Sequence, residues 1–406
     1  MCAAPGTVII MELRCMSMGA LNGYKVLDFS TLLPGPYATM TLADMGAEVL
    51  KVSARDKYDL VVNWPPVIPG TEITGAQAWL GRNKKTIFLN LKKPSAVEAV
   101  KKLVMEYDII VEQFRPGVMA KLGLGYEQLR VINPRIIYCA ITGYGQSGPF
   151  SLRAGHDINY LSRAGIIYAS GRKDGGPSLY NFQIADVAGG SMNAVAGILA
   201  AIIYREKTGK GQFIDISMQD SVIPFNSMDG ASYFAGGPVP SRESGLLNGG
   251  NIYDFYETLD GAYMSVGSLE PKFFAALCDG LGYPQWRDGD ILKEHADMVK
   301  ETFRRAFLTK TRDEWTIIFS NLDACVEPVL TMAEASEDNH LLHRGMWPAV
   351  PIPLAEGLEI TQMGCPLNLS ECPPEYHHAG YPEGYHTVQI LTELGYSEEK
   401  IRDLST

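Results

Sequence analysis

The chain has 406 residues, of which 46% are apolar and 20% charged, and its formal net charge is −11. A chain of this length is expected to form two domains rather than one domain, and it is long enough to bury a large core. The acidic balance and the lack of any long run of Lys and Arg argue against nucleic-acid binding, although a phosphorylated ligand needs only a few local cations.

Residues 1–20 are predicted to form an N-terminal tail. The tail contains a short apolar run with no basic residues before it, and Glu12 follows closely, so it lacks the form of a signal peptide. Met16 and Met18 are alternative candidates for the functional start. No uninterrupted apolar run reaches membrane-spanning length, so we expect no membrane partner.

Residues 21–229 are predicted to form a large α/β domain. Strands are predicted at 23–30, 47–53, 85–91, 108–114 and 135–142, and helices at 37–46, 94–107 and 125–134. An apolar helix at 192–207 and a strand-then-helix segment at 213–223 follow. Strands joined through helices are parallel, so the alternation predicts a Rossmann-like open parallel sheet.

The rest of the chain predicts a second, smaller α+β domain. Residues 230–251 are rich in Gly and Pro and are predicted to be a linker or mobile loop. Residues 252–340 form the small domain, which begins with a hairpin whose turn is Asp260-Gly261. Residues 341–406 are predicted to return to the large domain and to end in one helix at 386–405.

The segment GYGQSG, residues 143–148, matches the GxGxxG pattern of dinucleotide-binding sites. Such a site needs a helix that begins within the motif and an acidic residue about 20 positions later. Pro149 follows instead, no helical periodicity comes after it, and the acidic partner is missing. We therefore expect a tight turn here and no redox cofactor.

The seven cysteines are Cys2, Cys15, Cys139, Cys278, Cys325, Cys365 and Cys372. Their number is odd and no CxxC pair occurs, which argues against a disulfide framework and a zinc site. Free thiols are typical of a reducing compartment, so we expect a cytoplasmic protein without a metal.

Several motifs in order resemble family III CoA-transferases of the CaiB/BaiF type. They are LLPGPYATMTLADMGAEVLKV, RNKKTIFLNLK, FRPGVMAKLGLGYEQL and GYGQSGP, and the likeness runs from about Leu21 to HTVQILTELGYS. Three further motifs, AGHDINY, NFQIADVAGGSM and VGSLEPKFF, are similar to the α-methylacyl-CoA racemase branch of the family. The resemblance implies an interlocked homodimer that acts on acyl-CoA thioesters, with coenzyme A as part of the substrate and no separate cofactor.

The resemblance implies catalytic roles for His156, Asp186 and Glu270. His156 and Asp186 would exchange the α-proton on opposite faces of the substrate, and Glu270 would orient His156. Taken without the family, each residue has a simpler role: a hydrogen-bonded core histidine, a helix cap and a charge at a helix start. Asp157, beside the histidine, is either the group that matters or a cap.

The resemblance also implies a set of residues that bind coenzyme A. They are Arg55, Arg82, Leu89, Leu91, Lys92, Lys121, Gly155 and Tyr160. The family's phosphate-binding basic residue matches Ala54, next to Arg55, and Lys121 stands where the family has Arg, which keeps the charge but loses the planar fork. Arg82, Lys92 and Lys121 are ordinary surface charges singly, but together on the loops of an α/β sheet they would form a phosphate cradle.

These observations favour a racemase that interconverts (2R)- and (2S)-2-methylacyl-CoA thioesters through an enolate. The alternative is a CoA-transferase that forms an anhydride and then a thioester on Asp186. Transferases of the family share this aspartate but typically lack the histidine-containing stretch. A CoA-binding regulatory protein with an inactive site is disfavoured, because it would not need His156, Asp186 and Glu270 together.

Overall fold

The computed structural model describes residues 19–406. Most of the predicted tail, including Met16 and Met18, lies outside the described residues. The chain divides into two compact units. The first contains residues 19–152, 190–217 and 345–406, and the second contains 153–189 and 218–344.

The strands in chain order are β1 Lys25–Asp28, β2 Glu48–Ser53, β3 Lys84–Phe88, β4 Ile109–Glu112, β5 Ile137–Thr142, β6 Phe213–Ser217, β7 Asp254–Glu257, β8 Tyr263–Val266, β9 Val326–Pro328, β10 Ala349–Pro351 and β11 Glu359–Thr361. The helices are α1 Pro34–Asp44, α2 Gly75–Leu80, α3 Pro94–Val104, α4 Val118–Lys121, α5 Tyr126–Ile132, α6 Asp157–Arg163, α7 Met192–Thr208, α8 Met218–Val222, α9 Ser227–Phe234, α10 Pro271–Leu281, α11 Ile291–Phe307, α12 Arg312–Phe319, α13 Met332–Glu337, α14 Asn339–His343, α15 Thr387–Glu393 and α16 Glu398–Ser405. Two 3₁₀-helices, Ile223–Asn226 and Pro284–Trp286, and a π-helix, Ile184–Ser191, complete the elements.

The first unit is built on a six-stranded sheet of order β3-β2-β1-β4-β5-β6, in which every pairing is parallel. The predicted open parallel sheet is therefore confirmed. The strand order reverses between β1 and β4, and in such sheets ligands bind outside the carboxyl ends of the strands near this reversal. The loops that follow β1, β2, β3 and β4 are thus the ones placed to meet a ligand.

The C-terminal segment returns to the first unit and packs into its core. Leu391 and Leu404 are fully buried in the same apolar cluster as Ile87 of β3 and Val100 of α3. The single helix predicted at 386–405 is wrong: Gly395 has a φ of +85°, which an α-helix cannot include, and it separates α15 from α16. The C-terminal chain therefore packs with the first unit through two short helices, α15 and α16.

The free edge of β3 is covered by side chains of this returning segment. His386 Nδ1 accepts a hydrogen bond from the Thr86 N–H at 3.2 Å, and Thr387 Oγ1 accepts one from the Phe88 N–H at 2.9 Å. These bonds satisfy donors that would otherwise be open to pairing with another chain.

One helix has the length and composition of a membrane span. The π-helix and α7 run continuously as Ile184–Thr208, 25 residues, so the expectation that no segment reaches spanning length is wrong by that criterion. Within the first unit, however, α7 packs against α1, β5 and β6. A buried core helix can have the same length and composition, so these two properties do not by themselves identify a membrane span.

The second unit contains a three-stranded antiparallel sheet of order β7-β8-β9. The predicted hairpin between the first two strands is confirmed, and Gly261 takes a φ of +74° in its turn. Helices α10, α11 and α12 supply an aromatic core in which Phe303 and Phe307 are fully buried.

The predicted linker is not a simple connection. Its first residues belong to α9, and the rest is fastened within the second unit. Asn248 Nδ2 donates to the Ser241 carbonyl at 2.8 Å, and Arg172 pairs with Glu243 at 2.9 Å. The predicted boundary at residue 229 also differs from the observed division, because residues 153–189 and 218–229 pack with the second unit. Composition shows where Gly and Pro accumulate but not these long-range contacts.

Candidate active site

The GYGQSG segment forms a turn. Gly145 and Gly148 have φ values of +82° and +88°, and the Gln146 N–H donates to Asp215 Oδ2 at 3.0 Å. The following helix, α6, begins only at Asp157. The tight-turn interpretation is confirmed, because no helix starts within the motif to receive a pyrophosphate.

His156 lies at the N-cap of α6 with its side chain exposed. Its backbone is fixed, because the N–H donates to Asn159 Oδ1 at 3.0 Å. Its exposed side chain makes no capping hydrogen bond to α6. The alternative of a hydrogen-bonded core histidine is therefore wrong, and the ring is available to a ligand.

Asp157 joins the histidine segment to the aspartate segment. Its Oδ1 accepts hydrogen bonds from the N–H groups of Ala185 at 2.6 Å and Asp186 at 3.0 Å. Burial raises the pKa of the half-buried Asp157 carboxyl, while these two donors lower it. The Asp157 side chain is thus a cap, as one of the two alternatives predicted. The element that it caps is the start of the π-helix.

The sequence predicts Asp186 as a cap ahead of a helix. The structure instead places it in the first turn of the π-helix. Asp157 occupies the N–H groups of Ala185 and Asp186, so these two donors cannot stabilise an enolate. Burial and, to a lesser extent, the charge of Asp157 raise the pKa of Asp186 to about 7. A carboxyl group with a pKa near neutrality can act as both acid and base at that pH.

Gly155 and Tyr160 hold the turn that carries His156. The hydroxyl group of the buried Tyr160 donates to the Gly155 carbonyl at 2.6 Å. Both residues were predicted to contact the acyl-CoA. The geometry gives Tyr160 a positioning role, and a substrate contact by Gly155 stays a prediction.

Glu270 is the exposed N-cap residue of α10, and its side chain makes no capping hydrogen bond. It lies near Cys325, whose pKa is raised by burial and then by the Glu270 charge. Across the described part of the chain, no hydrogen bond or ion pair joins Glu270 to His156. Within one chain, hydrogen bonds therefore join the segments of His156 and Asp186, whereas none joins Glu270 to His156 in the described residues.

Two of the predicted phosphate-binding cations lie on loops at the carboxyl edge of the sheet. Arg55 follows β2, and its guanidinium lies 4.5 Å from the centre of the Phe88 ring. Lys92 follows β3, and its Nζ pairs with Asp56 Oδ2 at 2.8 Å. Both side chains are exposed. The ends of neighbouring parallel strands meet at one edge, so these charges can face one ligand.

Arg82 does not belong to a surface cradle. Its side chain is 0% exposed, its Nε donates to Asp44 Oδ1 at 2.9 Å, and one terminal nitrogen donates to the Met363 carbonyl at 2.9 Å. The prediction of a surface charge is therefore wrong. Breaking a buried pair of this kind typically costs about 3–5 kcal/mol, so Arg82 serves stability.

The two leucines of the predicted set also belong to the interior. Leu89 is fully buried in the core of the first unit, and Leu91 packs against that core. The Leu89 side chain cannot reach a ligand, so a contact through it is excluded.

Lys121 ends α4, the short helix that follows β4, and its side chain is exposed. Two further exposed cations, Lys57 and Arg115, follow β2 and β4 and were missed by the sequence analysis. Lys57 Nζ lies 5.0 Å from the centre of the Phe114 ring. Their position just after predicted strands is the signal that would have found them.

If Lys121 contacts the substrate, Lys121→Ala should lower kcat/KM by more than tenfold, about the 1.4 kcal/mol expected of a charged hydrogen bond. Lys121→Arg should retain most of the activity, because it keeps the charge. Lys101→Ala is the matched control, since Lys101 lies in the last turn of α3 and pairs with Glu98 at 2.8 Å. An unchanged kcat/KM in Lys121→Ala would remove this residue from the site.

The comparisons with known proteins all point to the same protein family. The model of CoA-transferase family III matches residues 21–387. The chain is 36% identical to the α-methylacyl-CoA racemase of Homo sapiens over 95% of its length and 96% of the relative's. It is 32% identical to the succinyl-CoA:glutarate CoA-transferase of Mus musculus over 96% of its length and 90% of the relative's. A crystal structure of a CAIB/BAIF family protein from Brucella suis aligns with a TM-score of 0.81 at 26% identity, covering 93% of this chain and 100% of that one.

Proposed function

We propose, on the premise that this chain belongs to CoA-transferase family III, that the enzyme racemises 2-methylacyl-CoA thioesters. The observation that carries the proposal is the placement of an exposed His156 on a segment that Asp157 joins to Ala185 and Asp186 by two hydrogen bonds. The 36% identity to a racemase over 95% of the chain supports it.

The proposed reaction is a proton exchange between two faces of the α-carbon. The α-proton of a thioester is weakly acidic, so its removal needs a positioned base. Neutral His156 takes the proton from one face while the C–H bonding pair becomes the enolate, and protonated Asp186 returns a proton to the other face. The site then holds imidazolium and carboxylate, which is the state that processes the opposite enantiomer.

The proposed substrate-binding surface is the carboxyl edge of the sheet. Arg55, Lys92 and Lys121 would bind the phosphates of coenzyme A, and no separate cofactor or metal takes part. Arg–phosphate contacts of this kind are among the stronger hydrogen bonds in proteins. The acyl chain would be a branched fatty acid, a sterol side chain or an aryl propionate.

The proposed functional form is an interlocked homodimer in the cytoplasm. The segment formed by the 3₁₀-helix Ile223–Asn226 and α9 exposes large apolar side chains, with Phe225, Met228 and Phe234 at 47%, 66% and 87% exposure. A cluster of apolar side chains on a soluble unit is typical of an interaction surface. In the proposed dimer, Glu270 of the partner subunit orients His156.

The second candidate is a CoA-transferase. The 32% identity to a succinyl-CoA:glutarate CoA-transferase favours it, and Asp186 would then be the nucleophile. A nucleophilic carboxylate must be ionised, whereas a pKa of about 7 leaves much of Asp186 protonated at neutral pH. This protonation suits a proton donor better than a nucleophile.

The proposal is tested by incubating one enantiomer of a 2-methylacyl-CoA with the enzyme and following its optical purity. Racemisation without any added acid supports the proposed function. Stable optical purity, with CoA passing to added succinate or glutarate, would establish the transferase instead.

Racemase activity should survive both EDTA and a thiol reductant, because the proposed proton exchange needs neither a metal nor a disulfide. Activity is measured before and after dialysis against each reagent. Loss in EDTA that added zinc or magnesium restores would contradict this expectation.

A further inference from the structure

The Asp157 carboxylate is not used in the proton exchange, yet it is the group that joins the two catalytic segments. It begins α6, one residue after His156, and its Oδ1 accepts the N–H groups of Ala185 at 2.6 Å and Asp186 at 3.0 Å. One oxygen atom therefore fixes the backbone of Asp186 relative to the helix that carries His156.

The π-helix that contains Asp186 is held at a second point. A Cβ atom on Gly189 would lie 2.9 Å from the Val222 side chain and 3.3 Å from the Met218 carbonyl, so the backbone of the π-helix lies close against α8. Helix α8 also packs against α6. Asp157 and Gly189 thus fix the two ends of the short segment that presents Asp186.

From this geometry we infer that Asp157 is a positioning residue of the proton-exchange site: its Oδ1 places Asp186, and its carboxylate is the charge that lies beside that residue. The inference rests on the proposed function for its catalytic meaning. The contact itself is independent of which reaction Asp186 serves.

The electrostatic part follows from the causes that act on each carboxyl group. Burial raises the pKa of Asp157 and its two backbone donors lower it, whereas both causes that act on Asp186 raise its pKa. The neighbouring elements also carry Arg163 on α6 and Asp220 on α8. Burial and the Asp157 charge both raise the pKa of Asp186, which is about 7, so removing the charge must move that pKa downward.

The test uses two substitutions that separate placement from charge. Asp157→Asn keeps an Oδ1 acceptor for both N–H groups but removes the charge. Asp157→Ala removes both. The titration of Asp186 is followed by infrared difference spectroscopy of the carboxyl band against Asp186→Asn, and the pH profile of kcat/KM is recorded in parallel. Asp174→Asn, an exposed carboxylate of the same unit, is the matched control.

In Asp157→Asn we expect the Asp186 titration and the matching limb of the pH profile to move to lower pH, with activity largely retained at the shifted optimum. In Asp157→Ala we expect kcat to fall by roughly tenfold to a hundredfold, the size of loss that misplacement of a catalytic group produces. Circular dichroism checks the fold of both variants.

An Asp186 titration that is the same in wild type and Asp157→Asn overturns the inference, even if Asp157→Ala fails to fold. The spectroscopic titration needs no turnover. If the wild-type enzyme proves to be a transferase, the proposed function fails while the Asp157–Asp186 coupling is still read directly.

Discussion

His156→Ala is expected to lower α-proton exchange from one enantiomer of the substrate by about 10²–10⁴-fold, the usual contribution of a general base, and to affect the other enantiomer much less. Each face of the α-carbon has its own base in the proposed mechanism, so removal of one base leaves the other face reactive. The measurement is deuterium incorporation from D₂O into each pure enantiomer, followed by mass spectrometry.

Asp186→Asn is the matched variant for this experiment, and its loss should fall on the opposite enantiomer. The fold of His156→Ala should be intact, because the side chain is exposed and contributes nothing to the core. An equal loss for both enantiomers in His156→Ala would contradict the two-base mechanism.

Coexpression of His156→Ala with Glu270→Ala is expected to restore racemisation, which neither variant supports alone. If each site combines His156 of one chain with Glu270 of the partner subunit, a mixed dimer keeps one complete site. Random pairing makes half of the dimers mixed, so the mixture should show about a quarter of the wild-type activity, and purified mixed dimers about half. Two different affinity tags allow the mixed dimers to be isolated.

Coexpression of His156→Ala with Asp186→Ala is the control, because these two residues lie on joined segments of one unit. In the proposed dimer both come from the same chain, so a mixed dimer has no complete site and stays inactive. If mixed dimers of His156→Ala and Glu270→Ala form but remain unable to racemise the substrate, Glu270 does not act across the subunits.

The parallel sheet was predictable because its evidence is local. Strands β1 to β5 alternate along the chain with helices, and local signals such as Pro94 mark where a helix begins. The same local reasoning fails at the C-terminus, where the sequence pattern predicts that Gly395 lies within a helix. Its left-handed φ of +85° ends the helix instead, which a continuous apolar pattern does not reveal.

The roles of charged residues were harder to predict because they depend on distant partners. Arg82 has the appearance of a surface cation, but its partners Asp44 and Met363 lie 38 and 281 positions away. Asp157 was a candidate cap, yet the residues it caps lie 28 and 29 positions later. His156 was placed by motif alone, and only the structure reveals that its ring is exposed.

The proposed exchange of the α-proton of an acyl-CoA can be measured with wild-type protein in D₂O. A single enantiomer of a 2-methylacyl-CoA is incubated without any acceptor acid, and the product is examined by mass spectrometry and chiral analysis. We expect one deuterium at the α-carbon and a mixture of both enantiomers. Substrate that keeps its hydrogen and its configuration, while CoA moves to added succinate and hydroxylamine traps an acyl group on Asp186, would contradict the proposed exchange.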